Sequence, residues 1–175
     1  DAPVCTVSPT RRLSRCPLCP PLVGAGGRGA AGKLIGPDPR EMADSDLIVV
    51  WGGNPASTQV NVMTHVQKAR KGRGAKLVVV DPYRTRTAKV ADMHLALRPG
   101  TDGALACAVM HVLFRDGHAD RDYMAKYSDG ADRLEQHLST RDPEWAAAIT
   151  GLEAQQIEDF AALYGRTERS YIRMG

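Results

Sequence analysis

Aromatic residues are scarce in this sequence: two Trp, five Tyr and two Phe make up 5% of 175 residues. Its core must therefore rest on Ala, Val, Leu, Ile and Met. Long apolar runs are missing too. None approaches the ~20 residues needed to cross a bilayer, which excludes a transmembrane helix. No G-x-G-x-x-G follows a strand, which argues against a nicotinamide or flavin Rossmann domain, and no G-x-x-x-x-G-K-[ST] is present, which excludes a P-loop. Cationic charge is lacking where a nucleic-acid binder would carry it. The formal charge is +3, but residues 1–35 hold Arg11, Arg12, Arg15, Arg28 and Lys33 against Asp1 alone, a net of +4, and the other 140 residues carry 18 basic and 19 acidic side chains. A nucleic-acid surface needs its basic stripe on the folded part, so nucleic acid is not an expected partner.

Cysteine is equally sparse. Three of the four (Cys5, Cys16 and Cys19) crowd the first stretch, and Cys107 stands alone in an apolar helix, where a free buried thiol is the expectation. The sequence opens on Asp1-Ala2-Pro3 without Met or a charged-then-apolar signal, and closes on a strand-like run that reaches Gly175. Both ends read as those of an internal piece.

Residues 1–35 are rich in Pro, Gly, Arg and Cys and show no helical or strand period, so an irregular, disordered segment is expected there. From Asp46 the pattern changes. Leu47-Ile48-Val49-Val50-Trp51 is a continuous apolar run bounded by Asp46 and Gly52-Gly53, as a strand buried on both faces of a parallel sheet requires. A helix is predicted from about Thr58 to Lys71, with Val62, Met63, Val66 and Ala69 at helical spacing. Gly72-Arg73-Gly74 stops it, and a second buried strand runs from Lys76 to Asp81, completing a βαβ unit.

Met93 to Leu97 reads as a third strand, ended by Arg98-Pro99-Gly100. Asp102 to Arg115 is apolar almost all round and should form a buried helix. Shorter helices follow near 120–127 and 131–139. Asp142 before Pro143 caps another, Thr150 is expected to cap the helix that ends at Gly165, and residues 169–174 make a further parallel strand. The predicted fold class is therefore α/β: a parallel Rossmann-like sheet of three to four strands flanked by helices, occupying residues 36–175 as an incomplete domain behind the irregular N-terminal segment.

Three segments combine a strand end with residues able to meet a ligand. Gly52, Gly53, Asn54 and Pro55 follow the first strand. Glycines there let backbone amides approach a phosphate, a following helix offers free N–H groups, and Asn54 can donate and accept; a tight turn without a ligand fits equally. Asp81, held extended by Pro82, closes the second strand with Arg84 and Thr85 nearby. It either accepts from ribose hydroxyls or a guanine edge, or caps a local turn. Gly100, Thr101 and Asp102 close the third strand. Thr101 or Asp102 caps the next helix, or Asp102 matches its two oxygens to the two N–H donors of guanine. All three segments follow sheet strands and are expected along one edge. His65, His94, His111, His118 and His137 share no metal-site spacing, and His94, on a strand, is expected to pack.

The order of these motifs is specific. A strand ending in W-G-x-N-P, a strand ending in V-V-D-P with a downstream T-x-T-A, then A-D-x-H-L-x-L-R-P-G-T-D-x-A-L, resembles the molybdopterin oxidoreductases of the dimethyl sulfoxide reductase and formate dehydrogenase superfamily over residues 34–175. The resemblance implies a molybdenum-dependent oxidoreductase with a bis-molybdopterin guanine dinucleotide cofactor, of which this piece holds one dinucleotide. It assigns Gly52, Gly53, Asn54 and Pro55 to the phosphate and pterin side, Asp81, Arg84 and Thr85 to the guanosine portion, and Gly100, Thr101 and Asp102 to the guanine pocket. Tyr83 stands where the family commonly has Arg. The family's metal ligand lies ahead of the W-G-x-N-P strand, which makes Cys19 the candidate molybdenum ligand, with a free thiol or a Cys-x-x-Cys pair with Cys16 as the other readings. An iron–sulfur cluster would belong to the longer protein, further upstream. The implied partners are the remainder of the enzyme chain and electron-transfer subunits. A non-catalytic fragment and a nucleotide-binding regulatory module are the rival readings; the substrate, and a cytoplasmic or periplasmic location, are not legible.

Overall fold

The computed structural model describes residues 38–175; the irregular segment expected over residues 1–35, with the candidate metal ligand Cys19, lies outside the described residues. Along the chain the elements are β1 (Leu47–Trp51), α1 (Pro55–Thr58), α2 (Val60–Arg73), β2 (Lys76–Val80), β3 (Met93–Leu95), α3 (Asp102–Arg115), α4 (Arg121–Tyr127), α5 (Ala131–Leu138), α6 (Pro143–Thr150), α7 (Ala154–Arg166) and β4 (Ser170–Met174), with 3-10 turns at Pro39–Asp44 and Ala88–Val90. These residues form two compact units: residues 38–95 with Arg169–Gly175, and Ala96–Glu168.

The first unit holds the sheet. All pairings are parallel, in the order β3-β2-β1-β4. Every residue of β1 is buried, and so are the last four of β2, which is why both read as unbroken apolar runs rather than alternating ones. Ile48, Val50, Leu77, Val79 and Tyr171 share a core with Val62, Val66 and Ala69 of α2. Burying one such aliphatic side chain contributes roughly 1.5–3 kcal/mol, so this cluster anchors the sheet. The chain lays down β1, β2 and β3 in one direction, then returns to the other flank of β1 with β4. The step between β1 and β4 is a topological switch point, where open α/β sheets leave a crevice at the carboxyl ends of their strands.

The helix expected from about Thr58 to Lys71 is α2, and the four-residue α1 precedes it. Asn54 O accepts from Ser57 N, Thr58 N and the Thr58 hydroxyl, closing the short α1, and Gln59 at φ −145° breaks the run before α2 begins. At the far end Gly74 adopts φ 68° and donates to the Ala69 and Arg70 carbonyls, a left-handed cap that a side chain would strain.

In the second unit α3 packs on α5, α6 and α7, with Leu105, Ala108, Val109, Met110, Val112 and Leu113 buried. His111 Nδ1 meets the Leu138 carbonyl at 2.8 Å, tying α3 to α5. Asp142 caps α6 as expected, accepting from Trp145 N at 2.7 Å. Thr150 does not cap α7. It is the last residue of α6: its hydroxyl donates to Ala146 O at 2.8 Å and accepts from Leu152 N at 3.3 Å. Gly151 at φ 76° ends α6, and α7 starts three residues later with a reciprocal capping box between Glu153 and Gln156. The third strand also stops at Leu95, not Leu97, and Arg98 N donates instead to the Thr150 carbonyl at 2.8 Å. Among the described residues no helix is long and apolar enough to cross a membrane.

Candidate functional site

The carboxyl end of β1 carries the most constrained backbone. Gly52 has φ 67° and donates its N–H to Val80 O at 2.8 Å, while Gly175 N donates to Trp51 O at 2.7 Å. A Cβ on Gly53 would lie 3.3 Å from Gly175 Cα, and one on Gly175 would collide with the Gly52 carbonyl. Two glycine backbones thus meet beyond β1 and β4, at the switch point, with no side chain between them.

Asn54 precedes α1 but does not cap it with its side chain. Instead Thr87, fully buried at 0% exposure, accepts from Ala56 N at 3.1 Å and donates through its hydroxyl to Asn54 Oδ1 at 2.9 Å. Thr87 N also donates to Oδ1, at 3.4 Å. Two donors on one side fix the amide orientation, so among the described residues Asn54 is left with its Nδ2 group as a pre-aimed donor. The loops after β1 and β2 are joined by this one side chain.

At the end of β2, Asp81 is 8% exposed. Its Oδ1 accepts from Tyr83 N at 2.8 Å, so it does close a local turn, and among the described residues nothing donates to Oδ2. His94 Nε2 meets the Asp81 carbonyl at 2.9 Å, and Asp81 N donates to Leu95 O at 3.2 Å; β3 therefore braces the strand end from which the carboxylate projects. Thr85 Oγ1 accepts from Ala88 N at 3.2 Å, where the 3-10 turn begins, whereas Arg84 and Tyr83 are exposed.

Gly100, Thr101 and Asp102 belong to the second unit. Pro99 and Gly100 (φ 80°), with Thr101 N donating to Arg98 O at 3.2 Å, have the residue types and bond of a type II turn. The Thr101 hydroxyl donates to Arg98 O at 2.6 Å, so it does not cap α3, and Asp102 sits in the first turn of α3 rather than at the cap. Arg98 fixes the turn by donating from Nη1 to the Ala148 and Ile149 carbonyls at 3.2 and 3.3 Å, cation against helix C-terminus.

The structure thus brings Gly52, Gly53, Asn54 and Pro55 together with the loop of Asp81, Arg84 and Thr85. Two polar residues of this edge escaped the sequence reading as site residues. Thr87 had a signal, the second Thr of T-x-T-A. Arg173 on β4, buried at 8% exposure, had none: its hydrogen-bond partner Gln59 lies 114 positions away. Among the described residues no group of three or more His, Cys, Asp or Glu is placed to hold a metal ion.

A parallel sheet with its polar loops at a carboxyl-edge switch point defines a Rossmann-like α/β domain. More narrowly, residues 9–169 match the molybdopterin oxidoreductase family, and the chain belongs to that family. It is 37% identical over 158 residues to the probable oxidoreductase YoaE of Bacillus subtilis, covering 90% of this chain and 23% of that protein. It is 34% identical over 149 residues to formate dehydrogenase H of Escherichia coli, covering 85% of this chain and 20% of that one. Among solved structures, acetylene hydratase from Pelobacter acetylenicus superposes with a TM-score of 0.65 at 28% identity, over 75% of this chain and 18% of the other. The chain therefore spans about a fifth to a quarter of the relatives it matches.

Proposed function

We propose that this chain is the part of a molybdenum-dependent oxidoreductase that holds one molybdopterin guanine dinucleotide, with residues 36–175 as the incomplete binding domain. The observation that carries the reading is the Thr87 clamp. It leaves Asn54 Nδ2 as a donor, and the Tyr83 N–H on Asp81 Oδ1 leaves Oδ2 as an acceptor, among the described residues, on two adjacent loops beside the β1–β4 switch point. The Gly52–Gly53 and Gly175 backbones pack against each other too closely for a Cβ, so main chain lines this edge, as a phosphorylated ligand held by backbone N–H groups would need.

In this reading Gly52, Gly53, Asn54 and Pro55 face the phosphate and pterin side, and Asp81, Arg84 and Thr85 the guanosine portion. Gly100, Thr101 and Asp102, in the second unit, are proposed for the guanine on the family resemblance alone. The bound cofactor would supply the oxygen-atom or hydride chemistry, the protein position and electrostatics. Cys19 is proposed as a molybdenum ligand. The rest of the enzyme chain, with any iron–sulfur cluster, and electron-transfer subunits are the proposed partners. Relatives named as oxidoreductases support this reaction class, and the similarity to a protein named as a hydratase supports the reading that the class is set outside this piece.

Calorimetric titration with guanosine 5′-diphosphate tests the reading. Binding should occur, should discriminate against adenosine 5′-diphosphate, and should weaken about tenfold in Asn54→Ala, the loss typical of one hydrogen bond to a charged group. Equal affinity for both nucleotides, or none for either, rejects it.

A further inference from the structure

Arg173 is a buried cation with no counter-ion among the described residues. Its guanidinium donates to Gln59 Oε1, and none of the ion pairs among the described residues includes it. Burying a guanidinium without an anion is costly, and one neutral amide oxygen offsets little of that cost. Its surroundings deepen the problem. Gln59 is the N-cap residue of α2, a helix of 14 residues whose start has no side-chain cap and no acid in its first turn. The helix N-terminus carries a partial positive charge of its own. A guanidinium bonded to that cap residue therefore sits against a second positive feature, and the two repel unless an anion lies between them.

The position of Arg173 says where such an anion would be. On β4 it pairs in register with Val50, one residue before the Trp51–Met174 pair at the sheet edge, and Gly175 and Gly53 meet just beyond. These features all belong to the first unit. We propose that Arg173, oriented by Gln59 and aided by the N-terminus of α2, forms an anion site at the β1–β4 switch point that takes a phosphate or pyrophosphate group. The planar fork of Arg suits two phosphate oxygens at once. This rests on the nucleotide reading above and assigns its phosphate charge to a residue outside the W-G-x-N-P and D-P loops.

The probe is inorganic pyrophosphate, titrated into the purified protein by calorimetry, with thermal unfolding alongside. Pyrophosphate should bind and raise Tm, and Arg173→Gln should weaken its binding roughly tenfold to a hundredfold, as loss of a charged hydrogen-bonding partner does. Arg173→Lys, which keeps the charge but loses the fork, should recover part of it. Without any anion, Arg173→Met should unfold at or above the wild-type temperature, because it removes an uncompensated buried charge. Unchanged pyrophosphate affinity in Arg173→Gln overturns the proposal, as does an anion-free Arg173→Met that melts well below wild type. Failure here is separable from failure of the nucleotide reading. If guanosine 5′-diphosphate binds equally to wild type and Arg173→Gln, this site is wrong and the reading stands. If pyrophosphate binding depends on Arg173 but guanosine adds nothing, the reading fails and this site stands.

Discussion

Single residues here divide into those whose polar atoms are satisfied and those left over. Thr87 is satisfied three times, so Thr87→Val, nearly the same shape, should leave Ala56 N without its acceptor and Asn54 Oδ1 with only the longer Thr87 N–H bond, and cost about 1–3 kcal/mol in denaturant unfolding, while Thr87→Ser should recover most of it. Ser170 is the opposite case. Its buried hydroxyl has no partner among the described residues, so Ser170→Ala should raise stability by up to about 1 kcal/mol. Asp102 sits in the first turn of α3, where its charge favours the helix dipole by about 0.3–1 kcal/mol. If Asp102 has the proposed guanine role, Asp102→Ala should lower guanosine diphosphate affinity by more than it lowers stability; the reverse order would leave Asp102 a purely structural role. Cys107 is half-buried and unpaired, and burial pushes its thiol above the ordinary value. It stays protonated at neutral pH, so the Cys107 peptide should be alkylated by iodoacetamide much more slowly in the folded than in the unfolded protein, as followed by mass spectrometry.

At the scale of elements, what the sequence made legible was whatever depends on near neighbours. The apolar runs of β1 and β2, the all-round apolar α3 and the Asp142-Pro143 start of α6 are local patterns, and the structure keeps all of them. Asp142→Ala should accordingly cost α6 about 1 kcal/mol, the usual worth of an N-cap, read in thermal unfolding. The misread features depend on partners that the pattern does not display. Thr150 looked like a cap because it precedes a helical run, yet Gly151 ends one helix there and gives the next start to Glu153. The short α1 ahead of Gln59 went unannounced because four residues are too few to show a helical period. β3 ends at Leu95 because Arg98 is held by the C-terminal end of α6, about 50 positions on. The site follows the same rule. Its glycines, Asn54 and Asp81 are local motifs, but the Thr87 clamp crosses 33 positions and the Arg173–Gln59 contact 114, distances over which one sequence carries no visible signal.

For the molecule as a whole, strand order decides where a ligand belongs. Placing β4 beside β1 rather than beyond β3 creates the switch point and brings Gly175 against Gly53. It also seats Arg173 in the same unit as Asn54 and Asp81. The central claim is that this carboxyl edge of the sheet receives the phosphate and nucleoside parts of one ligand. Amide chemical-shift mapping of the isotope-labelled protein during titration with guanosine 5′-diphosphate tests it most directly. The largest shifts should fall on Gly52, Gly53, Asn54, Asp81 and Gly175. Shifts concentrated at the opposite edge, around Gly74 and Ala75, or spread evenly over the chain, would contradict it.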